Sequence, residues 1–462
     1  MNIAVRIGAA LTATLILLAP ALWNGFPLLQ YDTGGYLARW WEGYLVPSRS
    51  VSYGLFVAAG WPLDFWPVIA AQAAVTVWVV ALVLRVHGLN GRPWPLPAMI
   101  AMLAATTTLP WIAGILLTDI FAGLAVLALH LLVLHAERLS RHECIALIVL
   151  VAFAVATHSA TFLLLLALVI VASAISLFHR ATVPRAGIVR AGFTLALGAA
   201  ILVAANYAVS KRLAWTPGGY GIVFARMLQD GIVARYLDRH CPDPRLRLCP
   251  YRHELPDNAD AFLWGDSAFD RLGRFAGLND EMRSIVLESL AEYPWIQIKA
   301  AVAAAARQVV AVRTGEGVLP SIWHTYGIMQ RFTPSAVPAM RAARQQRGEL
   351  NFEAINAVHV PVALAAMALL PAIVLLGRRW RRYGDLGLLA ATVALAILAN
   401  ALICGPLSNP HDRYGARLAW LAPLVVMLVA FRWGKTNAPA GGPGGRRIRP
   451  REGKSRGRTG GR

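Results

Sequence analysis

The first polar segment of the sequence contains residue types that could do chemistry. Asp32 is followed by Gly34 and Gly35, and then by Tyr36 and Arg39. Two glycines permit a close backbone turn beside the carboxylate. The aromatic side chains that come next suit either the membrane interface or stacking on the faces of sugars. The alternative interpretation is structural, a juxtamembrane helix with an interfacial aromatic belt and a capping aspartate.

Further candidates lie far along the chain. Asp119 stands within or beside a long apolar stretch, where an acidic residue is costly and indicates function by default; a structural pair with an interfacial arginine is the alternative. Arg413 and Arg417 are four residues apart. A helix starting there places both on one face, with Pro410 in its first turn, although both arginines could instead anchor the outer interface. His158 could hydrogen-bond a phosphate or simply cap a helix end.

The composition predicts that a membrane surrounds these residues. Of the 462 residues, 57% are apolar and 15% are charged, against about 45–50% and about 25% in soluble domains. Apolar stretches of about 20 residues recur, and they must be helical because lipid offers the backbone no hydrogen-bond partner. The alternating segments of an outer-membrane barrel are not seen. These features exclude fibrous, disordered and disulfide-scaffold proteins and an ordinary cytosolic enzyme, and they predict an all-α polytopic membrane protein.

The short basic loops predict the topology. When the N-terminus is placed in the cytoplasm, every short basic loop falls on the cytoplasmic side, as the positive-inside rule requires. Both termini are then cytoplasmic, in the inner (plasma) membrane of a bacterium. About ten transmembrane helices are predicted, at 3–23, 65–85, 95–110, 112–135, 144–158, 161–178, 189–209, 357–377, 385–404 and 415–432.

The same topology divides the chain into regions. Residues 1–210 form an N-terminal transmembrane region that contains the outer loop 24–64. Residues 356–433 contribute the C-terminal transmembrane helices. The tail 434–462 carries nine basic residues and one acid, so we expect a disordered basic cytoplasmic tail that lies along anionic lipid. Because this tail holds much of the net charge of +20, nucleic acid is not expected as a partner.

Residues 211–355, between predicted spans 7 and 8, are expected to form a small extracytoplasmic polar domain. Its part 211–295 holds twelve acids and eleven bases, a balance typical of a folded domain. Within 297–313, apolar residues recur at helical spacing, which predicts an amphipathic helix on the outer membrane surface. Cys241 and Cys249, in the stretch CPDPRLRLC, suit a disulfide in an oxidising compartment.

A metal site that combines these cysteines with His240 and His253 is the alternative, but the spacing matches no common zinc pattern. The sequence therefore predicts the disulfide and indicates no metal and no cofactor. The motifs of nucleotide hydrolysis, zinc proteolysis and lipase chemistry do not occur, which leaves these activities without support.

The arrangement resembles the GT-C class of membrane glycosyltransferases, which use polyprenyl-phosphate sugars. In that class, one helix precedes a large outer loop with an acidic residue near its start, followed by a tyrosine; the matching positions are Asp32 and Tyr36. The stretch Pro47 to Tyr53 matches an Arg-Pro-Pro-Tyr-like motif but lacks the paired prolines. The resemblance covers about residues 1–210 and 356–432, and its other matches are Leu109-Pro110-Trp111 with Thr118-Asp119-Ile120-Phe121, Thr157-His158-Ser159 and His411-Asp412-Arg413-Tyr414.

The resemblance implies transfer of a sugar from a polyprenyl-phosphate donor in the membrane lipid to a glycan, lipid or protein acceptor. Asp32 is then the candidate general base for the acceptor hydroxyl, and Asp119 is the second catalytic candidate. Guanidinium groups bind phosphate bidentately. The candidates for binding the lipid phosphate or substrate are Tyr36, Arg39, Arg49, His158, Arg413 and Arg417.

Two other classes of protein stay open. A lipid or solute transporter or flippase usually contains repeated halves, and the sequence shows no such similarity. A non-catalytic assembly protein would use 211–355 as its interaction module. The three classes of protein require different geometry. Only the enzyme needs Asp32 in a cavity beside Arg413 and Asp119, where lipid and water both have access.

Overall fold

The computed structural model describes residues 3–89, 91, 93–179 and 182–437. Within these residues, regular structure is entirely helical apart from two isolated β-bridges. The first eleven α-helices are α1 (Ile3–Asn24), α2 (Tyr31–Glu42), α3 (Val51–Ala59), α4 (Trp66–Val86), α5 (Pro95–Thr106), α6 (Leu109–Ala113), α7 (Asp119–Leu134), α8 (Arg141–Thr157), α9 (Ser159–Phe178), α10 (Arg185–Ser210) and α11 (Gly219–Gln229).

The second half of the chain continues in the same way. Its α-helices are α12 (Ile232–His240), α13 (Ala259–Trp264), α14 (Ala268–Arg271), α15 (Arg274–Glu292), α16 (Pro294–Val310), α17 (Trp323–Phe332), α18 (Val337–Ala342), α19 (Phe352–Arg379), α20 (Gly384–Leu407), α21 (Asp412–Ala419) and α22 (Leu421–Asn437). Short 3-10 turns occur at Trp61–Leu63, Ala136–Arg138, Cys249–Tyr251, Pro334–Ala336, Arg344–Arg347 and Arg381–Tyr383.

The all-helical class is confirmed, and seven stretches of helix in the described residues are long and apolar enough to cross a membrane. They include α1, α4, α9, α10 and α19; the other two extend through α20 with the turn before it and through α21 with α22. These helices indicate a membrane protein. The remaining predicted spans correspond to the shorter helices α5, α7 and α8, so the count of ten spans stays a prediction.

The region 95–135 differs from the two spans predicted there. It forms three helices, because α5 ends at Thr106 and α6 ends at Ala113. A short non-helical link, 114–118, follows, in which the backbone N–H of Leu116 donates to Leu28 O at 3.0 Å while that of Leu28 donates to Gly114 O at 2.9 Å. This backbone pairing joins the start of α7 to the segment that leads into α2, and it thereby brings Asp119 near Asp32.

Helix α7 forms the centre of the main core. Every residue of this helix except Leu134 is buried, and α4, α8, α10, α20 and α21 pack around it. Gly123 allows the closest of these contacts, since a Cβ there would lie 2.8 Å from the indole of Trp420. A helix that is apolar on all sides belongs inside a bundle, and α7 occupies that position.

The region 211–355 contains two structurally different parts. Helices α11 to α15 enclose a separate hydrophobic core that includes Phe224, Phe262 and Met282. The predicted disulfide is present and joins Cys241 to Cys249, with the Cα atoms 5.6 Å apart. Helices α17 and α18 instead pack into the main core. The second part is therefore integrated with the transmembrane helices, while its predicted extracytoplasmic location stays a prediction.

Helix α16 was predicted as an amphipathic surface helix over 297–313, and it forms at Pro294–Val310. One face packs closely on α20, because Gly405 lets its backbone come within van der Waals range of Ala304. The other face exposes large apolar side chains at Trp295, Ile298, Val302 and Val310. Its contact with a membrane surface stays a prediction.

The predicted disordered tail 434–462 falls mostly outside the described residues. Helix α22 continues to Asn437, so the first four residues of that segment are helical and the predicted boundary at 434 is too early. Residues 438–462 lie outside the description.

Candidate active site

Asp32 lies in the first turn of α2, where a helix favours negative charge. The N-cap is Gln30, whose side-chain oxygen accepts the backbone N–H of Asp32 at 2.8 Å. Gln30 and Thr33 cap each other reciprocally. The close turn predicted at Gly34 and Gly35 is wrong, since both residues are helical.

Arg413 joins the two candidate carboxylates. Its Nη1 donates to Asp32 Oδ2 at 2.5 Å, and its Nε donates to Asp119 Oδ2 at 2.6 Å. The side chains of Arg413, Asp32 and Asp119 are 12%, 17% and 3% exposed. Three residues from distant parts of the chain thus form one buried ionic group, at the first turns of α2, α7 and α21.

Arg49 completes the charge balance of this group. Its Nη2 donates to Asp32 Oδ1, and its guanidinium lies 5.7 Å from the ring centroid of Tyr36. Gly35 provides the space, because a Cβ there would lie 3.0 Å from Arg49 Nε. Gly34 has a separate role, since a Cβ on it would lie 2.7 Å from the Cα of Thr325 in α17. The glycines therefore serve close packing within a helix.

The two guanidinium groups control the protonation of Asp32. Burial on its own would raise the pKa of the carboxyl, but the charges of Arg49 and Arg413 outweigh burial and lower the pKa to about 2. In this state Asp32 is a fully ionised ion-pair partner and a weak base. A ligand that engaged the arginines would remove the cause of the low pKa.

Arg417 and His158 lie beside this group. Arg417 Nη1 is 3.5 Å from His158 Nδ1, and both Arg413 and Arg417 lie over the ring of Tyr414. Arg417 is also held by Asn400, whose Oδ1 accepts a hydrogen bond from Arg417 Nη2 at 2.6 Å. The predicted helix carrying both arginines is α21, although Pro410 precedes its first turn. The geometry makes Arg417 a fixed cation at the edge of the site.

Arg39 does not join the cluster. Its guanidinium donates to Gly35 O at 2.9 Å, to Tyr44 O at 2.9 Å and to Glu42 at 2.7 Å. These partners all belong to α2 or to the residues that follow it. The side chain therefore secures the C-terminal end of α2, and the predicted role of Arg39 in binding phosphate gains no support from its position.

Glu316 is a site residue that the sequence analysis missed. Its Oε2 accepts the backbone N–H of Arg413 at 2.7 Å, and its Oε1 pairs with His411 Nδ1 at 2.7 Å. Burial opposes ionisation of both groups, but their pairing lowers the pKa of Glu316 and raises that of His411. Gln308 also exchanges two hydrogen bonds with the backbone of His411. Glu316 and Gln308, which both belong to the region 211–355, thus hold the start of α21, where Arg413 lies.

Two clefts adjoin the charged cluster from different directions. The first reaches Asp119, Arg413 and Glu316 and is otherwise lined mainly by apolar side chains such as Trp111 and Phe352. The second contains Arg49 and His158 among several hydroxyl side chains and the amide of Asn206. Both are narrow in this structure. One approach is suited to an apolar chain and the other to a hydroxyl-bearing molecule.

No protein-family model matches this chain, and comparison with curated proteins and with solved structures gives no match. The resemblance to the GT-C class therefore remains an expectation from the sequence.

Proposed function

We propose that this protein is a membrane glycosyltransferase of the GT-C type that transfers a sugar from a polyprenyl-phosphate donor to an extracytoplasmic acceptor. The observation that carries the proposal is the buried ionic group formed by Asp32, Arg413 and Asp119, with Arg49 completing it. Asp32 is the general base, Arg413 and Arg49 bind the donor phosphate, and Arg417 and His158 adjoin the acceptor side.

The reaction needs one proton acceptor and one stabilised leaving group. The acceptor hydroxyl oxygen forms a bond to the anomeric carbon of the sugar while the bond from that carbon to the phosphate oxygen breaks. The hydroxyl proton passes to Asp32, and the bonding pair leaves with polyprenyl phosphate. The new negative charge on the phosphate is stabilised by guanidinium groups through charge-assisted hydrogen bonds.

The ion pairs explain why the donor binds before the acceptor hydroxyl loses its proton. A donor phosphate competes with Asp32 for the guanidinium groups of Arg49 and Arg413. Once the phosphate has taken them, the carboxylate is free, and its pKa rises from the value of about 2 held by the arginines. Donor binding thus converts Asp32 from an ion-pair partner to a base, which limits proton abstraction to the loaded enzyme.

The two clefts support different routes for the two substrates. The prenyl chain is assigned to the apolar cleft that ends at Asp119 and Arg413. The acceptor is assigned to the cleft with Arg49 and His158, where its hydroxyl groups find polar partners. Asp32 lines neither cleft, but it pairs with Arg413 of the first and Arg49 of the second. This position between the two clefts supports the enzyme over the assembly protein.

The test is transfer by the purified chain in lipid nanodiscs. A panel of polyprenyl-phosphate hexoses and pentoses is supplied with extracted membrane acceptors, and release of polyprenyl phosphate is measured. Asp32→Asn preserves the shape of the side chain but removes the base, so we expect release to fall at least about 1,000-fold, as for the loss of a catalytic group.

The matched control for this test is Asp64→Asn. Asp64 is also in the segment 24–64, and its left-handed backbone (φ 50°) tolerates asparagine. The control should transfer at the wild-type rate. Full release by Asp32→Asn would remove Asp32 from the mechanism, and absence of release by the wild type with every donor would favour the assembly protein or the transporter.

The topology of ten spans, with both termini in the bacterial cytoplasm and 211–355 outside, belongs to the same proposal. A disulfide between Cys241 and Cys249 supports an oxidising location for this region. A reporter fused after Gly265 should be active only outside the cytoplasm. Activity of that fusion only in the cytosol would overturn the orientation.

A further inference from the structure

Three histidines meet at the opposite end of α7. His87 ends α4, His130 is in the last part of α7, and His135 is the residue at which α7 stops. All three are buried, and one ring nitrogen from each lies within 4.8 Å of the others. The ring centroids are 5.3, 5.6 and 6.3 Å apart, so the imidazoles surround a common point.

Each of the three rings has a nitrogen without a partner. The Nε2 atoms of His87, His130 and His135 are buried and form no hydrogen bond with any part of the chain that the structure describes. A buried polar atom without a partner costs about 1–3 kcal/mol, and three such atoms belong to one cluster of buried rings. The arrangement of the three rings points to a bound cation that accepts one lone pair from each of them.

The hydrogen bonds on the other ring nitrogens fix the lone pairs. His87 Nδ1 is 2.8 Å from Val83 O, which can only accept, so that nitrogen carries the proton. His130 Nδ1 is 2.9 Å from the hydroxyl of Thr392, which already donates to Leu388 O. In both rings Nε2 is therefore the basic nitrogen. A metal-binding histidine has this arrangement, in which the other N–H is held by an oxygen.

We propose that His87, His130 and His135 bind a divalent transition-metal ion, with Zn²⁺ as the best match, through their Nε2 atoms. Imidazole is a preferred ligand of Zn²⁺, and three histidines leave a fourth tetrahedral position for water. Zinc–nitrogen bonds of about 2.0–2.1 Å place tetrahedral ligand nitrogens about 3.4 Å apart. The ring nitrogens now lie within 4.8 Å of one another, so binding requires them to approach by at most about 1.4 Å.

The charges around the triad are balanced. Arg432 donates to the backbone oxygen of His87 and forms an ion pair with Asp385 at 2.6 Å. Arg138 donates to Val86 O at 2.9 Å. Asp385 offsets the first guanidinium, and Glu137, whose Oε1 lies 3.8 Å from Arg138 Nε, offsets the second, so a cation bound by the triad does not face an uncompensated arginine side chain. A metal there fastens the end of α4 to the end of α7.

Metal binding is tested on the full chain purified in detergent, after treatment with a chelator. Co²⁺ is titrated as a spectroscopic substitute for Zn²⁺, and Zn²⁺ content is measured after dialysis. We expect one ion per chain and the intense visible absorption of tetrahedral Co²⁺, which added Zn²⁺ removes. His130→Asn and His87→Asn should abolish the absorption. His142→Gln, which changes an exposed histidine of α8, should not.

A second variant covers the case in which loss of a buried histidine prevents folding. Thr392→Val keeps the shape of the side chain and all three ligands, but it removes the oxygen that holds His130 Nδ1. Such changes lower metal affinity about 10–100-fold, and that shift in Co²⁺ affinity is the expected result. A wild-type chain that binds no Co²⁺, or binding that is equal in Thr392→Val and the wild type, would overturn the proposal.

Discussion

The two ends of α7 carry polar groups that are organised in opposite ways. At the N-terminal end, Asp119 belongs to a group in which ion pairs already join carboxylates and guanidinium groups, although its Oδ1 has no partner in the described chain. At the C-terminal end, His130 and His135 meet His87, and the Nε2 atom of each ring has no partner there. A ligand that binds the first group must displace an existing ion pair. A metal ion that binds the second group displaces no existing contact of these nitrogens. The first arrangement suits a site that releases its product, and the second suits a resident ion.

The largest effect is expected from Arg413→Ala. It leaves the buried carboxylate of Asp119 without a counter-ion, while Asp32 keeps Arg49, and breaking a buried pair costs about 3–5 kcal/mol. We expect a lowered unfolding temperature and loss of transfer. Arg413→Lys should recover part of the stability but little transfer, since an ammonium cannot bridge two carboxylates with fixed geometry. The exposed Arg235→Ala is the control, and equal stability of Arg413→Ala and this control would mean that the carboxylates need no counter-ion.

The second prediction compares the pH dependence of kcat/KM, which reports the donor-free enzyme, with that of kcat, which reports the donor-bound enzyme. In the free enzyme the pKa of Asp32 is lowered to about 2, so its ionisation should not limit kcat/KM between about pH 5 and pH 8. The profile of kcat reports the donor complex, in which the phosphate holds the arginines, and its acidic limb should lie at higher pH. Identical acidic limbs in the two profiles would show that the phosphate does not displace Asp32.

The same shift has a consequence for stability. Because the pKa is lowered on folding, the contribution of Asp32 is present above its ordinary value near 3.8 and is lost as the pH falls through about 2. Its size is about 2 kcal/mol. The difference in unfolding free energy between the wild type and Asp32→Asn should therefore shrink below about pH 4, and a constant difference would contradict this cause.

A smaller effect is expected from the pair of Glu316 and His411. The raised pKa of His411 means that its contribution is present below its ordinary value of 6.5 and is lost as the pH rises through the raised value. Unfolding temperature should fall across that range, and Glu316→Gln should flatten the dependence. Glu254→Gln, which breaks an exposed ion pair with Arg271, should leave the slope unchanged. A slope that survives in Glu316→Gln would assign it to another group.

The smallest effect is expected from Gly35→Ala. The added Cβ would meet Arg49 Nε at 3.0 Å, so the side chain must move by a few tenths of an ångström. Transfer should fall several-fold, while stability changes little because alanine favours the helix by up to about 1 kcal/mol. Gly8→Ala in α1, where no atom lies within 4 Å, should give the helical gain without loss of transfer. Unchanged transfer in Gly35→Ala would show that the position of Arg49 is not critical.

Much of the fold followed from the sequence because hydropathy and local signals determine it. The apolar stretches predicted the helices, and the cysteine spacing predicted the disulfide. The breaks around Gly114 were missed, since they depend on backbone pairing with Leu28, which is distant in sequence. For the same reason α17 was not expected in the main core, because its neighbour Gly34 is almost three hundred residues away.

The charged residues of the candidate site could be predicted from the sequence, but the residues that hold them in position could not. Asp119 was chosen because an acid in an apolar stretch is costly, Asp32 as a candidate base and Arg413 as a candidate phosphate ligand, and the structure brings the three together. Arg39 carries the same charge yet points elsewhere, and nothing in the sequence distinguishes it from Arg49. Glu316 and Asn400 act on other side chains, so only the folded chain reveals them.

The histidine triad shows another limit of sequence patterns. Residues 130 and 135 are five apart, which is about 140° around a regular helix and not on one face. They converge because the chain leaves the helix at His135, whose φ is −136°.

The length of α7 limits how far apart its two ends can be. A helix of 16 residues measures about 24 Å, while the hydrocarbon layer of a bilayer is about 30 Å thick. Tilting only reduces its reach across the layer. Because neighbouring helices shield α7 from lipid, it does not have to match the thickness of the bilayer. In the proposed orientation, at least one of the two polar sites therefore lies below the headgroups, at a depth where the protein itself must provide the access for water.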